Sequence, residues 1–153
     1  MPINWTKDLD TGIELIDEQH RQIVDYINQL ESVKERRETE MVRKVIDNCV
    51  HYTLSHFAFE EEIQAEAGYE YCRPHKKVHE LFTRRVGEYR KRIEDGEDVA
   101  VELHGMLANW LINHIKHDDA DYVPAVKANI ASIVKANEEA KGRGWLKRFF
   151  YID

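Results

Sequence analysis

The chain has 153 residues, 42% of them hydrophobic and 33% charged, with a net charge of −7 at pH 7. That length suits a single domain whose core needs no disulfide support, and the acidic balance speaks against nucleic acid as a partner. No apolar run approaches the roughly 20 residues needed to span a bilayer, and the N-terminus lacks the basic leader and apolar stretch of a signal peptide. No stable membrane insertion and a cytoplasmic location are therefore expected. Cys49 and Cys72 lie far apart and show no C-x-x-C spacing, so two free thiols are the expectation.

With 3 prolines and 7 glycines the chain has few helix breakers. After an irregular N-terminal arm, Thr11 and Glu14 have capping-box spacing ahead of an apolar repeat, and a first helix is predicted to about Val33. A charged connection, Lys34 to Glu40, leads to a second helix from about Met41 to Ala67, closed by Gly68. Pro74 opens a third helix that stops near Asp95 and Gly96. Asp98 is the expected N-cap of a fourth helix to about Asp118, and Pro124 begins a shorter segment ending near Gly142. Nothing reads as a strand. The prediction is an all-α fold, an up-down-up-down antiparallel four-helix bundle with an N-terminal arm and a short C-terminal helical extension. Lys141 to Asp153 interleaves Trp145, Leu146, Phe149, Phe150 and Tyr151 with Lys147 and Arg148, and is expected to fold back over an apolar part of the bundle.

The inward stripe of each helix, followed at spacings of three and four, carries the functional signal. It reads Ile16, His20, Ile23, Ile27, Leu30 in the first helix and Val42, Val45, Cys49, Tyr52, His56, Glu60, Ile63 in the second. The third gives His75, His79, Phe82, Val86, Tyr89, Ile93 and the fourth Leu103, Leu107, Trp110, His114. Each helix thus holds a histidine where a hydrophobe belongs, and such groups are costly to bury without partners. A lone inward histidine is more often a hydrogen-bonded core residue than a ligand. Here, however, His20 lies early in its helix, His56 late, His75 and His79 early and His114 late. With alternating chain direction all five fall in one layer, which packing alone explains poorly. His51, His104 and His117 fall outside this layer and are expected not to be ligands.

Imidazoles with carboxylates suit iron, zinc, manganese or copper. Five histidines, Glu60 and an aspartate after His114 exceed what one tetrahedral ion uses, so two metals bridged by carboxylates fit the count. Helical spacing favours Asp118, at i+4 from His114, over Asp119 at i+5.

The motifs Asp17-x-x-His20, His56-Phe57-x-x-Glu60-Glu61, His75-x-x-x-His79 and Trp110-Leu111-x-x-His114-Ile115-x-x-x-Asp119-x-x-Tyr122 resemble the hemerythrin family, in particular the single-domain bacteriohemerythrins. The resemblance spans about Ile3 to Lys127 and is specific in its combination of motifs. It implies a hemerythrin-like domain, expected as a single domain over 1–153 with the bundle at about 13–119 and, mostly beyond the resemblance, an extension at about 124–153. It also implies two iron ions per chain, bridged by an oxo or hydroxo group, that bind dioxygen reversibly for storage, delivery or scavenging. His75, His79 and His114 would hold one iron, His20 and His56 the other, with Glu60 and Asp119 bridging. The choice of Asp119 requires a widened turn at the end of the fourth helix. Ile23, Phe57, Trp110 and Ile115 would line the oxygen pocket, excluding water and protons. The expected protein is a monomer and not an enzyme, with an unidentified oxygen-consuming protein as a partner. A sensor acting through a partner, or a di-iron oxidase, peroxidase or nitric-oxide reductase, are the alternatives.

Overall fold

The structure, a computed structural model, describes residues 2–34, 39–142 and 144–150. Most of the connection expected between the first two helices lies outside the described residues, as do Tyr151 and the side chains of Lys147, Arg148 and Phe150. Four helices form the bundle: α1 (Glu14–Lys34), α2 (Thr39–Glu66), α3 (Cys72–Glu94) and α4 (Ala100–Asn113). α1 packs against α2 and α4, and α2 against α3. There is no strand among the described residues, and the topology is the expected up-down-up-down one.

Local chemistry sets the helix ends. At the start of α1 the reciprocal partner of Thr11 is Asp17, not the expected Glu14. The Asp17 carboxylate accepts from the Thr11 amide at 2.8 Å, the Thr11 hydroxyl at 2.7 Å and the Gly12 amide at 3.1 Å. Three donors outside the first turn thereby bind one buried carboxylate that lies one turn before His20. The far ends of α2 and α3 pass into Gly68 (φ 73°) and Gly96 (φ 88°), a left-handed backbone that side chains with a Cβ resist.

The expected stop near Asp118 and restart at Pro124 are absent. α4 runs straight into a π-helical segment, His114–Asp119, and then into α5 (Ala120–Lys141), with Pro124 inside α5. Proline removes one backbone donor and crowds one carbonyl. Helix continues through it because the following turns bury Val126 and Ile133 against the bundle, and packing outweighs one lost bond.

The apolar core comes in two parts. The larger contains Ile23, Ile27, Leu30, Ile46, Cys49, Val86, Leu103 and Leu107 among others. The smaller contains Ile13, Ile16, Phe59, Ile63, Tyr122, Val126, Ile133 and Trp145. In α1 His20 falls between Ile16 of the smaller core and Ile23 of the larger, and in α2 His56 and Glu60 flank Phe57 and Phe59, where the stripe passes from one core to the other.

Two accessory pieces close the bundle. The N-terminal arm is fixed by reciprocal bonds between the Ile3 backbone and the Asn28 amide, 2.8 and 3.0 Å, and Lys116 in the π-helical segment pairs with Asp8 at 2.8 Å. At the other end α6 (Trp145–Phe150) folds back on α2, as expected of the tail. Trp145 is buried and, with Phe149, meets the Phe59 ring at 5.8 and 5.5 Å. Removing Trp145 to Asp153 should therefore destabilise the fold. Trp145→Ala alone should cost about 3 kcal/mol and lower Tm by several degrees, measured by thermal unfolding; an unchanged Tm would show that the tail does not support the bundle.

Candidate metal centre

The histidine layer is assembled from four parts of the chain. α1 contributes His20, α2 His56 and Glu60, α3 His75 and His79, and the π-helical segment His114 and Asp119. Every one of these seven is buried, with Glu60, Asp119 and His20 fully so.

All five imidazoles point Nε2 toward the two carboxylates, and each carboxylate divides its oxygens between two sides. On one side Glu60 Oε1 lies 2.8 Å from His75 and 3.3 Å from His79, and Asp119 Oδ1 lies 3.2 Å from His75 and 3.1 Å from His114. On the other, Glu60 Oε2 lies 2.8 Å from His56 and Asp119 Oδ2 3.0 Å from His20. Two groups of converging ligand atoms result, each able to hold a metal ion: Glu60, His75, His79, His114 and Asp119 in one, and His20, His56, Glu60 and Asp119 in the other. The carboxylates are common to both.

The π-helical segment makes this sharing possible. In a regular α-helix a residue five positions on lies about 140° around the axis. Here the Ala120 amide bonds back to the Ile115 carbonyl, five residues earlier, and the widened turn carries Asp119 under His114. Asp118 is not idle: its Oδ2 sits 2.8 Å from His114 Nδ1. The i+4 carboxylate thus takes one nitrogen of His114 and the i+5 carboxylate faces the other. Half-exposed as it is, Asp118 thereby fixes the orientation of the His114 ring.

Other side chains orient the layer's imidazoles and carboxylates in the same manner. Gln19 Oε1 meets His56 Nδ1 at 2.6 Å, and Glu61 Oε2 meets His79 Nδ1 at 3.1 Å. Tyr122, fully buried, donates its hydroxyl to Glu60 Oε2 at 3.2 Å. Gln19 was not foreseen in the sequence, because it flanks the inward stripe and only pairing with α2 reveals its role. His51 and His117 are exposed, and His104 is buried beside Glu31 at 3.6 Å. None of the three joins either cluster.

Of the four side chains expected to line a pocket, Phe57 lies flat on His79 (centroids 3.8 Å, planes 6° apart) and Trp110 on His114 (4.3 Å, 18°). Both rings cover the three-histidine side. Ile23 and Trp110 border a small apolar cavity of about 10 Å³, with Ile27, Phe82, Leu107 and Leu111 among its other walls, at the lower limit for one water. Ile115 is buried in the larger core.

The electrostatics ask for a cation. His20 Nε2, His56 Nε2 and both Asp119 oxygens are sealed from solvent with no hydrogen-bond geometry to any partner, although they stand about 3 Å from one another. Burial opposes protonation of His20, His75 and His114, yet Asp119 and Glu60 raise them to about 9, 9 and 10. Burial, by contrast, leaves His56 below its ordinary value. Burial also opposes ionisation of Glu60 and Asp119, and the surrounding imidazoles still hold both well below the usual carboxylate range. Soft-to-borderline nitrogen donors around two ionised bridging carboxylates form a ligand set suited to a pair of divalent transition metals.

An all-helical bundle with two imidazole groups sharing two carboxylates defines a class of two-centre metal-binding bundle proteins. Residues 11–126 match the hemerythrin HHE cation binding domain, and the chain belongs to the hemerythrin family. It is 51% identical over 150 residues to a bacteriohemerythrin of Pseudomonas aeruginosa, covering 95% of this chain and 96% of that one. It is 47% identical, with the same coverage, to a bacteriohemerythrin of Stenotrophomonas maltophilia. A crystal structure of wild-type hemerythrin superposes with a TM-score of 0.79 at 26% identity, covering 82% of this chain and 98% of that one.

Two outcomes follow. With no metal bound, the protonated His20, His75 and His114 stabilise the fold fully below about pH 6.5, and that contribution is lost as pH rises through about 9 to 10. Denaturant titrations of the metal-free chain should show stability falling from pH 7 to 10, and a flat profile would contradict the assignment. Asp118→Asn should weaken metal binding by about 10- to 100-fold, read by competition against a chelator.

Proposed function

We propose that this protein binds dioxygen reversibly at a pair of iron ions held by His20, His56, Glu60, His75, His79, His114 and Asp119, serving oxygen storage, delivery or scavenging. The observation that carries the reading is the unequal sharing of the bridge. Three imidazoles and two carboxylate oxygens converge on one side, but two imidazoles and two oxygens on the other. The second side is one protein ligand short, leaving room for a small molecule.

Iron bound there would supply the electrons that dioxygen takes up on binding and returns on release. The chain's own residues favour binding over consumption. Five imidazoles against two carboxylates keep the ligand set less anionic than a carboxylate-rich one, which disfavours high-valent metal. Phe57 and Trp110 cover the imidazoles of His79 and His114 with flat apolar rings, limiting access of water to the three-histidine side. The hydroxyl of Tyr122 donates to Glu60, and burial pushes it well above its ordinary value, so it is a poor proton donor. For these reasons we read the protein as a carrier and not an enzyme.

The same reading takes the chain as one cytoplasmic domain. Its support is the net charge of −7, two cysteines that are both free, and the absence among the described residues of a helix long and apolar enough to cross a membrane. The test is a titration of the reduced, iron-loaded protein with dioxygen, followed by its removal. Two irons per chain and a coloured adduct that fades and returns are expected; rapid irreversible oxidation would overturn the carrier reading.

A further inference from the structure

A cation bound for the buried layer must cross protein, since the seven residues around it expose almost no surface. Four of the five imidazoles are locked in place. Gln19, Glu61 and Asp118 hold the Nδ1 atoms of His56, His79 and His114, and both ring nitrogens of His20 are sealed from solvent. His75 differs. Its Nε2 faces Glu60 at 2.8 Å, but among the described residues no protein group partners its Nδ1, and that atom is not among the sealed ones. The residue, though 96% buried (4% exposed), forms the floor of a solvent-open pocket walled by Tyr69, Val78, His117, Asp118 and Asp121.

These walls have the chemistry of a transit site. Imidazole and carboxylate are the donors that replace water around a divalent transition metal, and His117 and Asp121 are exposed where such an ion would arrive. Tyr69 donates its hydroxyl to Asp121 and so fixes that carboxylate at the rim. Negative groups at a concave mouth also raise the local cation concentration.

We propose that divalent iron enters and leaves the layer through this pocket, with His75 turning aside to admit it and His117 and Asp121 exchanging its water shell on the way. The proposal rests on the two-ion reading above. His75 then has two roles, ligand once the site is filled and gate while it fills.

The test is stopped-flow loading of the metal-free full chain with Co²⁺, whose visible absorption reports occupancy without oxidation. Val78→Trp, which fills the pocket and leaves the charges alone, and the paired exposed changes His117→Ala with Asp121→Asn should each slow loading by about tenfold. Both should still bind two ions with the wild-type spectrum, and removal by a chelator should slow in Val78→Trp as well. His51→Ala, on the exposed face of α2, should load at the wild-type rate. If Val78→Trp does not fold, the paired variant decides alone. Wild-type loading rates in the pocket variants would overturn the proposal, whereas fewer than two ions in the unaltered chain would sink the two-ion reading instead.

Discussion

Seven ionisable side chains share one layer almost wholly withdrawn from water, and the fold is arranged around making that layer tolerable. A buried carboxylate costs several kcal/mol unless it is matched by opposite charge and hydrogen bonds. Two such groups side by side repel each other as well. The layer answers by surrounding Glu60 and Asp119 with five imidazoles whose Nε2 atoms all turn inward, and by anchoring most of those rings from behind. Gln19, Glu61 and Asp118 lie on the far side of the rings, Phe57 and Trp110 on their faces. None of these contacts makes sense without the carboxylates at the centre.

The same constraint explains what could and could not be read from the residues alone. The bundle and the five-histidine layer follow from spacing and chain direction, because a histidine on an apolar stripe is conspicuous at any position. Glu60 was reachable by the same route. Asp119 was not: helical spacing pointed to Asp118, and only family resemblance pointed one residue further. The geometry gives work to both, since the widened turn brings each to a different nitrogen of His114. Periodicity assumes a uniform pitch, and this is the place where the pitch changes. The continuation of helix through Pro124 was hidden for a related reason. A local rule about proline says nothing of the burial of Val126 and Ile133 beyond it. The Asp17 cap was equally invisible, because its donors come from a loop whose path depends on tertiary packing.

Stability and function draw on the two cores differently. The larger one is a regular interdigitation of α1 to α4. The smaller one holds Phe59 and Tyr122, the first adjacent to Glu60 in sequence and the second bonded to it, and it is completed by Trp145 from the tail. The terminal helix therefore bears on the position of the shared Glu60 carboxylate without touching it. Rigid support of this kind matters because ligand geometry must be kept to within about half an ångström.

The widened turn has a meaning for the helix that contains it. Leu103, Leu107 and Leu111 face the larger core before it, and Tyr122, Val126 and Ile133 face the smaller core after it. The two stripes are out of phase by one residue, and a helix of constant pitch could serve one core or the other but not both. The added residue acts as a phase correction, converting one long rod into two that address different partners. Losing it would rotate everything from Tyr122 to Lys141 by about 100°, so the second carboxylate and the second core stand or fall together.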